Sequence, residues 1–468
     1  MAQSFQLREP PEVKDPRHWL LGPAYYARQQ PLTWIPKWIE EHGDLFTVVA
    51  PLGRATIVAR PEWARHVLAD AYSRYQSKSR AYAVLRILFG NGLVTSEGEF
   101  WRGQRKLIQP AFHRQRLEKL FAMMVDRVAD CAGKLADAGR VGTAVDVGPI
   151  YSQLTLDIIA RAMFSSDVEG SAGEVGRHIA TLNEYALRLL RQPWLFLLPR
   201  SFPTPFNYRQ YRAMRSLNEI VYGIIRSRRQ EPERHDDLLA MLLSACEEET
   251  GRGMNDRQLR DEVMTIFVAG HETTANAMSW LTYLISQHPE VEEKLLAEID
   301  AHWPGEGLTP ASAANFVYTR QVIEESLRIY PSIWSIGRCC NEDDEVGGFR
   351  IAKGMNLVIP IFHFHWSERY WNEPRRFDPD RFAPERRPAA DSMIYFPFGA
   401  GPRSCIGNHF ALQELLIMTA TFYRHFIFRL EPGFRVEPDP LITLRPKHGM
   451  KLTVSLRRPV AAVDLFRR

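Results

Sequence analysis

The chain is poor in the features that mark several protein classes. It has 468 residues but five cysteines, Cys131, Cys246, Cys339, Cys340 and Cys405. The number is odd, two are sequence neighbours, and no CxxC pair occurs. That argues against a disulfide framework and a structural zinc site, and favours a reducing, cytoplasmic setting. No run of 18 or more apolar residues is present, so no transmembrane anchor is expected. The first twenty residues are charged and proline-rich, without the apolar centre of a signal peptide. A net charge of +4 is too small to point to nucleic acid. There is no Ser/Gly-rich linker, low-complexity tract or fixed-period repeat, and a single domain over 1–468 is expected. Strand-like segments are also scarce.

What is present is mostly helical periodicity, from about residue 61 to 330, with Pro61 opening a helix at its first position. Three hairpins are expected: Leu45–Ala50 with Arg54–Ala59, one turning at Lys353-Gly354, and one within 441–456. The fold class is thus mainly α with a small β region (α+β), built from both chain ends. The apolar stretch 194–206 reads as a buried loop, with peripheral membrane contact as the alternative.

The longest helical pattern starts at an Asn255 cap, with Gln258 completing a capping box, and runs to about Gln287. That is roughly 48 Å at 1.5 Å per residue. Leu259, Val263, Ile266, Phe267, Gly270, Thr274 and Ala277 share one face. Glycine inside a helix costs about 0.8–1 kcal/mol against alanine, so something should approach the backbone at Gly270. The local run AGHETT adds an acid, Glu272, and hydroxyls at Thr273 and Thr274. Threonine can bond back to the carbonyl one turn earlier.

The second unusual stretch is FPFGAGPRSCIGNHFA, Phe396 to Ala411. Cys405 sits among glycines, two places after Arg403 and just before a helical pattern. A metal-ligating thiolate needs donors aimed at sulfur, and a helix's first turn has unpaired N–H groups. Gly399, Gly401 and Gly407 allow backbone to approach a flat object. Phe398 could lie near it, and Arg403 is a cation suited to a carboxylate. A flat iron macrocycle with carboxylates at its rim meets these demands.

FGAGPRSCIG resembles the cysteine-ligand loop of the cytochrome P-450 family, matched at Phe398, Gly399, Gly401, Arg403, Cys405 and Gly407. AGHETT resembles that family's oxygen-activating motif. EESLRIYP carries Glu325 and Arg328 at its Glu-x-x-Arg spacing, FDPDRF carries Arg381, and WRGQR carries Trp101 and Arg105. The family order is kept from about residue 95 to 410. The resemblance implies the cytochrome P-450 fold, with the long central helix crossing haem b and the haem-thiolate loop at about 396–407. It also implies a haem-thiolate monooxygenase that inserts one oxygen atom of O2 into a lipophilic substrate: a fatty acid, terpenoid, carotenoid or steroid-like molecule.

Residue by residue, the resemblance makes Cys405 the axial iron ligand. Trp101, Arg105, Arg338 and Arg403 become propionate partners. Ala269, Phe398, Gly399 and Gly407 lie at the cofactor. Gly270 makes room for dioxygen, Thr273 hydrogen-bonds it or a water, and Glu272 relays protons. Glu325, Arg328 and Arg381 form a buried structural triad. Leu85, Leu88, Phe267, Ala269, Ile333 and Trp334 are pocket candidates. The pocket segments are apolar and hold no acid to catch an amine. No flavin or nicotinamide domain is apparent, so NAD(P)H electrons are expected through a ferredoxin or flavodoxin with its reductase. Arg102, Arg105, Lys106, Arg114, Arg116 and Lys119 would steer that acidic partner, with Glu118 the one acid among them. A peroxide-driven peroxygenase and a non-catalytic haem sensor are the alternatives. Glu272 and Thr273 favour O2 activation.

Overall fold

A computed structural model describes residues 7–13, 23–50, 53–76, 82–142, 144–165, 172–192, 195, 202, 204–231, 237–246, 251, 253–305 and 307–457. The segment 194–206 lies largely outside these residues, as do the side chains of Leu88 and Arg114. Helix dominates throughout, as the sequence periodicity predicts. The chain divides into two compact units.

The first unit comprises Met1–Tyr82, Leu327–Phe377 and Arg381–Cys405. Its frame is a five-stranded sheet. Glu12–Val13 pairs parallel with Leu45–Ala50, which forms the expected hairpin with Gly53–Val58. Gly53–Val58 then pairs parallel with Asn356–Ile359, which pairs antiparallel with Ile336–Cys339. Alternate side chains fill two apolar clusters. One gathers Val58, Leu68, Ile351, Leu357 and Phe364. The other gathers Val13, Ile35, Trp38, Phe46 and Phe362. Pro61 opens a short helix, Pro61–Arg65, where its missing N–H costs nothing.

The second expected hairpin does not form. Lys353-Gly354 does turn, with Gly354 at φ +83°. The flanking strands nevertheless part: Phe349–Ile351 pairs with Asp344–Val346, while Asn356–Ile359 joins the five-stranded sheet.

The second unit comprises Ala83–Ser326, Asp378–Asp380 and Ile406–Arg468. Its axis is the long helix Asp256–Gln287, 32 residues with the expected Asn255–Gln258 capping box. Helix Val147–Phe164 packs along it. Tyr151 donates to or accepts from Thr282 at 3.2 Å, and Thr155 Oγ1 donates to the His271 carbonyl at 2.9 Å. Burial of Val263, Met264, Phe267, Met278, Trp280 and Leu281 makes this helix a core element on every side. The third expected hairpin also divides. Leu444–Pro446 pairs with Pro438–Pro440, whereas Lys451–Leu456 lies between Ala144–Asp146 and Phe426–Leu430. The small sheets of the chain's two ends are therefore separate, not one sheet.

Candidate functional site

In the first unit the cysteine loop is shaped by its own backbone. Gly399 and Gly401 adopt φ +73° and +69°, open to glycine at little cost. A Cβ on Gly401 would collide with the Leu68 carbonyl. The Cys405 N–H donates to the Phe398 carbonyl at 2.8 Å, and Gly399 N–H to Phe396 O at 2.9 Å. Cys405 is thereby held exposed at the tip. The helix behind it begins at Asn408, with Gly407 at the capping position.

The loop is tied down through His365. The Phe396 N–H donates to His365 Nε2 at 3.2 Å, so the other ring nitrogen carries the proton and donates to the Arg328 carbonyl at 3.1 Å. Burial and the neighbouring Arg328 cation push this imidazole down to about 3, keeping it neutral. Arg328 in turn donates to the His365 carbonyl at 2.6 Å and lies over Trp371 at 4.9 Å. Arg381 donates to the Glu373 carbonyl at 2.9 Å. Glu325, Arg328 and Arg381 are each buried. In the second unit, Glu325 Oε1 accepts from the Asp378 amide at 3.0 Å.

Arg338 is also buried, on strand Ile336–Cys339. It donates to the Gly337 carbonyl at 3.0 Å and meets Tyr82, and no carboxylate among the described residues pairs with it. Burial pulls its pKa down. A buried guanidinium without an acid suits an anionic partner, and an exposed thiol suits a soft metal. The first-unit residues thus fit the edge and axial position of a haem.

Two pocket candidates in this unit are placed differently. Trp334 packs into the sheet's apolar cluster, 6.1 Å from the Phe362 ring, and Ile333 packs against the other cluster. Both are half-buried, on the segment that leads into the edge strand of the sheet.

In the second unit AGHETT lies within the continuous helix Asp256–Gln287. Ala269 is exposed, Gly270, Glu272 and Thr273 are half-buried, and Thr274 is buried. Thr273 Oγ1 donates to the Ala269 carbonyl at 2.7 Å. Gly270 does need a close neighbour: a Cβ there would lie 3.2 Å from Ile159 on the helix packed alongside. Glu272 is anchored rather than solvated. Its Oε2 accepts from Asn183 Nδ2 and its Oε1 from Thr443 Oγ1, both at 2.9 Å. Asn276 Nδ2 donates on to Thr443 at 3.2 Å. Burial raises the Glu272 pKa, opposed by the Thr443 hydrogen bond and by nearby Arg445. Sequence reasoning missed Asn183 and Thr443, since neither stands in a motif. It also missed Glu414, fully buried near Thr274 and pushed well above the carboxylate range by burial.

Phe267 is 2% exposed, its ring 5.3 Å from Phe164, so it serves the helix–helix core rather than offering an open pocket face. Leu85 is half-buried on helix Tyr82–Phe89, which also carries Leu88. On helix Gly98–Ile108, Trp101 is buried and Arg105 half-buried, four residues apart and so on one face. The cationic patch is weaker than its sequence window implies. Glu99 lies just outside that window and pairs with Arg102 at 2.8 Å. Lys106, Arg116 and Lys119 are exposed. Gly407 packs loosely, its would-be Cβ 3.9 Å from Phe112.

A mainly helical chain with an exposed thiol loop and hydroxyls midway along its longest helix has the makings of an oxygen-activating haem protein. The chain matches the family Cytochrome P450 over residues 11–454. It is 35% identical over 421 residues to cytochrome P450 132 of Mycobacterium bovis, covering 85% of this chain and 87% of that one. It is 34% identical to cyclooctat-9-en-7-ol 5-monooxygenase of Streptomyces melanosporofaciens, covering 88% of each. It is 31% identical to pentalenene oxygenase of Streptomyces avermitilis, over 94% of this chain and 96% of that one. The chain belongs to the cytochrome P450 family. It is a haem-thiolate monooxygenase that uses O2 and a redox partner to oxidise a lipophilic substrate. No helix among the described residues is long and apolar enough to cross a membrane.

Proposed function

We propose that this chain hydroxylates a terpenoid, with Cys405 as the axial ligand of haem b. The exposed thiol of Cys405, on a loop whose glycine backbone holds it clear of the core, carries the reading. Two relatives are named for an alkene and an alkenol substrate, which favours a terpenoid over a fatty acid, carotenoid or steroid. Bound haem supplies the oxygen chemistry, and the thiolate favours O–O cleavage.

The protein's share is orientation and proton control. Trp101, Arg105, Arg338 and Arg403 hold the propionates. Phe398, Gly399, Gly407 and Ala269 border the macrocycle, and Leu85 and Leu88 border the substrate. Gly270 lets Ile159 approach the helix backbone closely at this motif. Thr273 gives its own proton to the Ala269 carbonyl, so its lone pairs accept from a water and orient it. Glu272, raised by burial and accepting from two neutral donors, is placed to take up a proton and pass it on when it rotates. Electrons come from NAD(P)H through a reductase and a ferredoxin or flavodoxin, which docks on the exposed Lys106, Arg116 and Lys119. The free cysteines agree with a cytoplasmic setting.

Three measurements test this. Reduced, carbon monoxide-treated protein should show the red-shifted Soret band of thiolate ligation, and Cys405→His should lose it while retaining haem. A Soret titration with terpene hydrocarbons, fatty acids and steroids should give a substrate-type shift with terpenes first. Thr273→Ala should keep haem and substrate binding but divert most electrons to peroxide. Unchanged coupling would make Thr273 a core residue only.

A further inference from the structure

The start of the long helix carries three consecutive buried charged residues that the oxygen chemistry does not use: Arg260, Asp261 and Glu262. Three adjacent charges in a core are costly unless each meets a partner. Arg260 is satisfied within its own surroundings, donating to Asp261 Oδ1 at 2.8 Å and to Asn218 Oδ1 at 2.7 Å. The remaining carboxylate oxygens reach outward to main chain. The Asn91 N–H donates to Asp261 Oδ2 and the Leu93 N–H donates to Glu262 Oε2, each at 2.8 Å.

The segment receiving this hold, Gly90–Ser96, joins helix Tyr82–Phe89 to helix Gly98–Ile108. It lies directly on the long helix. A Cβ on Gly92 would stand 2.5 Å from the Asp261 carbonyl oxygen, and a Cβ on Gly90 would strike the Asp261 carboxylate. The segment also closes on itself. Thr95 Oγ1 donates to the Gly90 carbonyl at 2.8 Å, and the Thr95 and Ser96 amides donate to the Gly92 carbonyl. The amides of Asn91 and Leu93 are turned the other way, toward the two acids. Arg86 and Glu97 border the segment and pair with each other at 3.0 Å.

We propose that Asp261 and Glu262 are positioning residues, a two-carboxyl latch that fixes Gly90–Ser96 and so sets the helix on each side of it. One of those helices carries Leu85, the other Trp101 and Arg105. The effect on substrate and cofactor rests on the function proposed above, whereas the latch itself does not.

The latch has a pH dependence with a definite sign. Burial and the adjacent Asp261 charge raise Glu262 to about 8, against the opposing Leu93 hydrogen bond. The other charges nearby, Arg260 with Asp261 and Arg86 with Glu97, are paired. Closing the segment over Glu262 takes its carboxyl out of water, so the closed form favours the protonated acid even though the Leu93 bond by itself favours the ionised one. Its contribution is complete below the ordinary carboxylate range and is lost as pH rises toward about 8.

Hydrogen exchange on the full-length haem-loaded protein tests it, read at Asn91 and Leu93. Their protection should fall with pH between about 5 and 8, by up to about tenfold per unit, then level off. Glu262→Gln should keep the protection of wild type at low pH and lose the pH dependence. Glu262→Ala should lose tenfold or more at Leu93 at low pH, where the latch is complete. Wild-type protection in the alanine variant, or a pH profile in the glutamine variant like that of wild type, overturns the latch. Should Glu262→Ala fail to fold, the glutamine profile still decides. The carbon monoxide spectrum, recorded in parallel, reports the haem reading separately: a missing thiolate band leaves the exchange result standing.

Discussion

Gly401 and Gly270 both stand where a side chain would be awkward, but for different reasons. Gly401 has φ +69°, and its missing Cβ would meet the Leu68 carbonyl, a backbone atom. Gly270 has an ordinary helical backbone, and its missing Cβ would meet the Cγ1 and Cδ1 atoms of Ile159 at 3.2 Å. The first is a requirement of chain path, which no neighbouring side chain can relax. The second is a packing fit between two helices, which a smaller neighbour can relax. Glycines that look alike in motifs thus report different constraints, and substitutions can separate them.

The largest effect is expected from Gly401→Ala. Forcing a non-glycine residue into the left-handed region costs about 1–3 kcal/mol, and the collision with Leu68 adds to it. Loop and thiol should shift together. The expected result is a loss of more than about 3 kcal/mol of stability with poor haem retention, measured by denaturant unfolding and haem content. Trimming Leu68 should not rescue it, because the obstacle is a carbonyl. Gly270→Ala should cost less. Overpacking of about 1–3 kcal/mol is partly offset by about 0.8–1 kcal/mol of regained helix propensity. Adding Ile159→Val should recover most of the loss. If the pair is no better than the single variant, the close approach at Gly270 is not to Ile159.

The same division explains how much could be read from sequence. The long helix and its Asn255 cap were legible because capping and periodicity are local, and the structure reproduces both ends. The thiol loop was legible because its glycines, arginine and cysteine fall within ten residues. The hairpin at Lys353-Gly354 was misread even though its turn is real. A turn reverses the chain, but partners are chosen by which faces must be buried. Ile351, Leu357 and Ile359 all enter one cluster while their strands join different sheets. Nothing local to SIWSI reveals Phe362 as the neighbour of Trp334. The anchors of Glu272 were invisible for the complementary reason. Asn183 and Thr443 are 260 residues apart in sequence and meet at the acid only in three dimensions.

Those anchors give the smallest and most specific effect. Asn183 and Thr443 hold the Glu272 carboxyl as Ile159 holds Gly270, by side-chain contact that can be tuned. Thr443→Val removes one donor to Oε1 and the acceptor of Asn276 Nδ2. A single such hydrogen bond is worth about 0.5–1.5 kcal/mol, and more when it serves an ionised carboxylate. Glu272 already has a raised pKa from burial, so its stabilising contribution is complete below the ordinary carboxylate range and fades as pH rises through its folded-state value. Thr443 opposes that rise by favouring the ionised form. Its loss should therefore raise the pKa further and cost more at neutral pH than below about pH 4, where Glu272 is neutral in both states. Unfolding midpoints at the two pH values measure the difference. In a Glu272→Gln background the cost of Thr443→Val should no longer depend on pH, and a dependence that survives there would show that Glu272 is not its source.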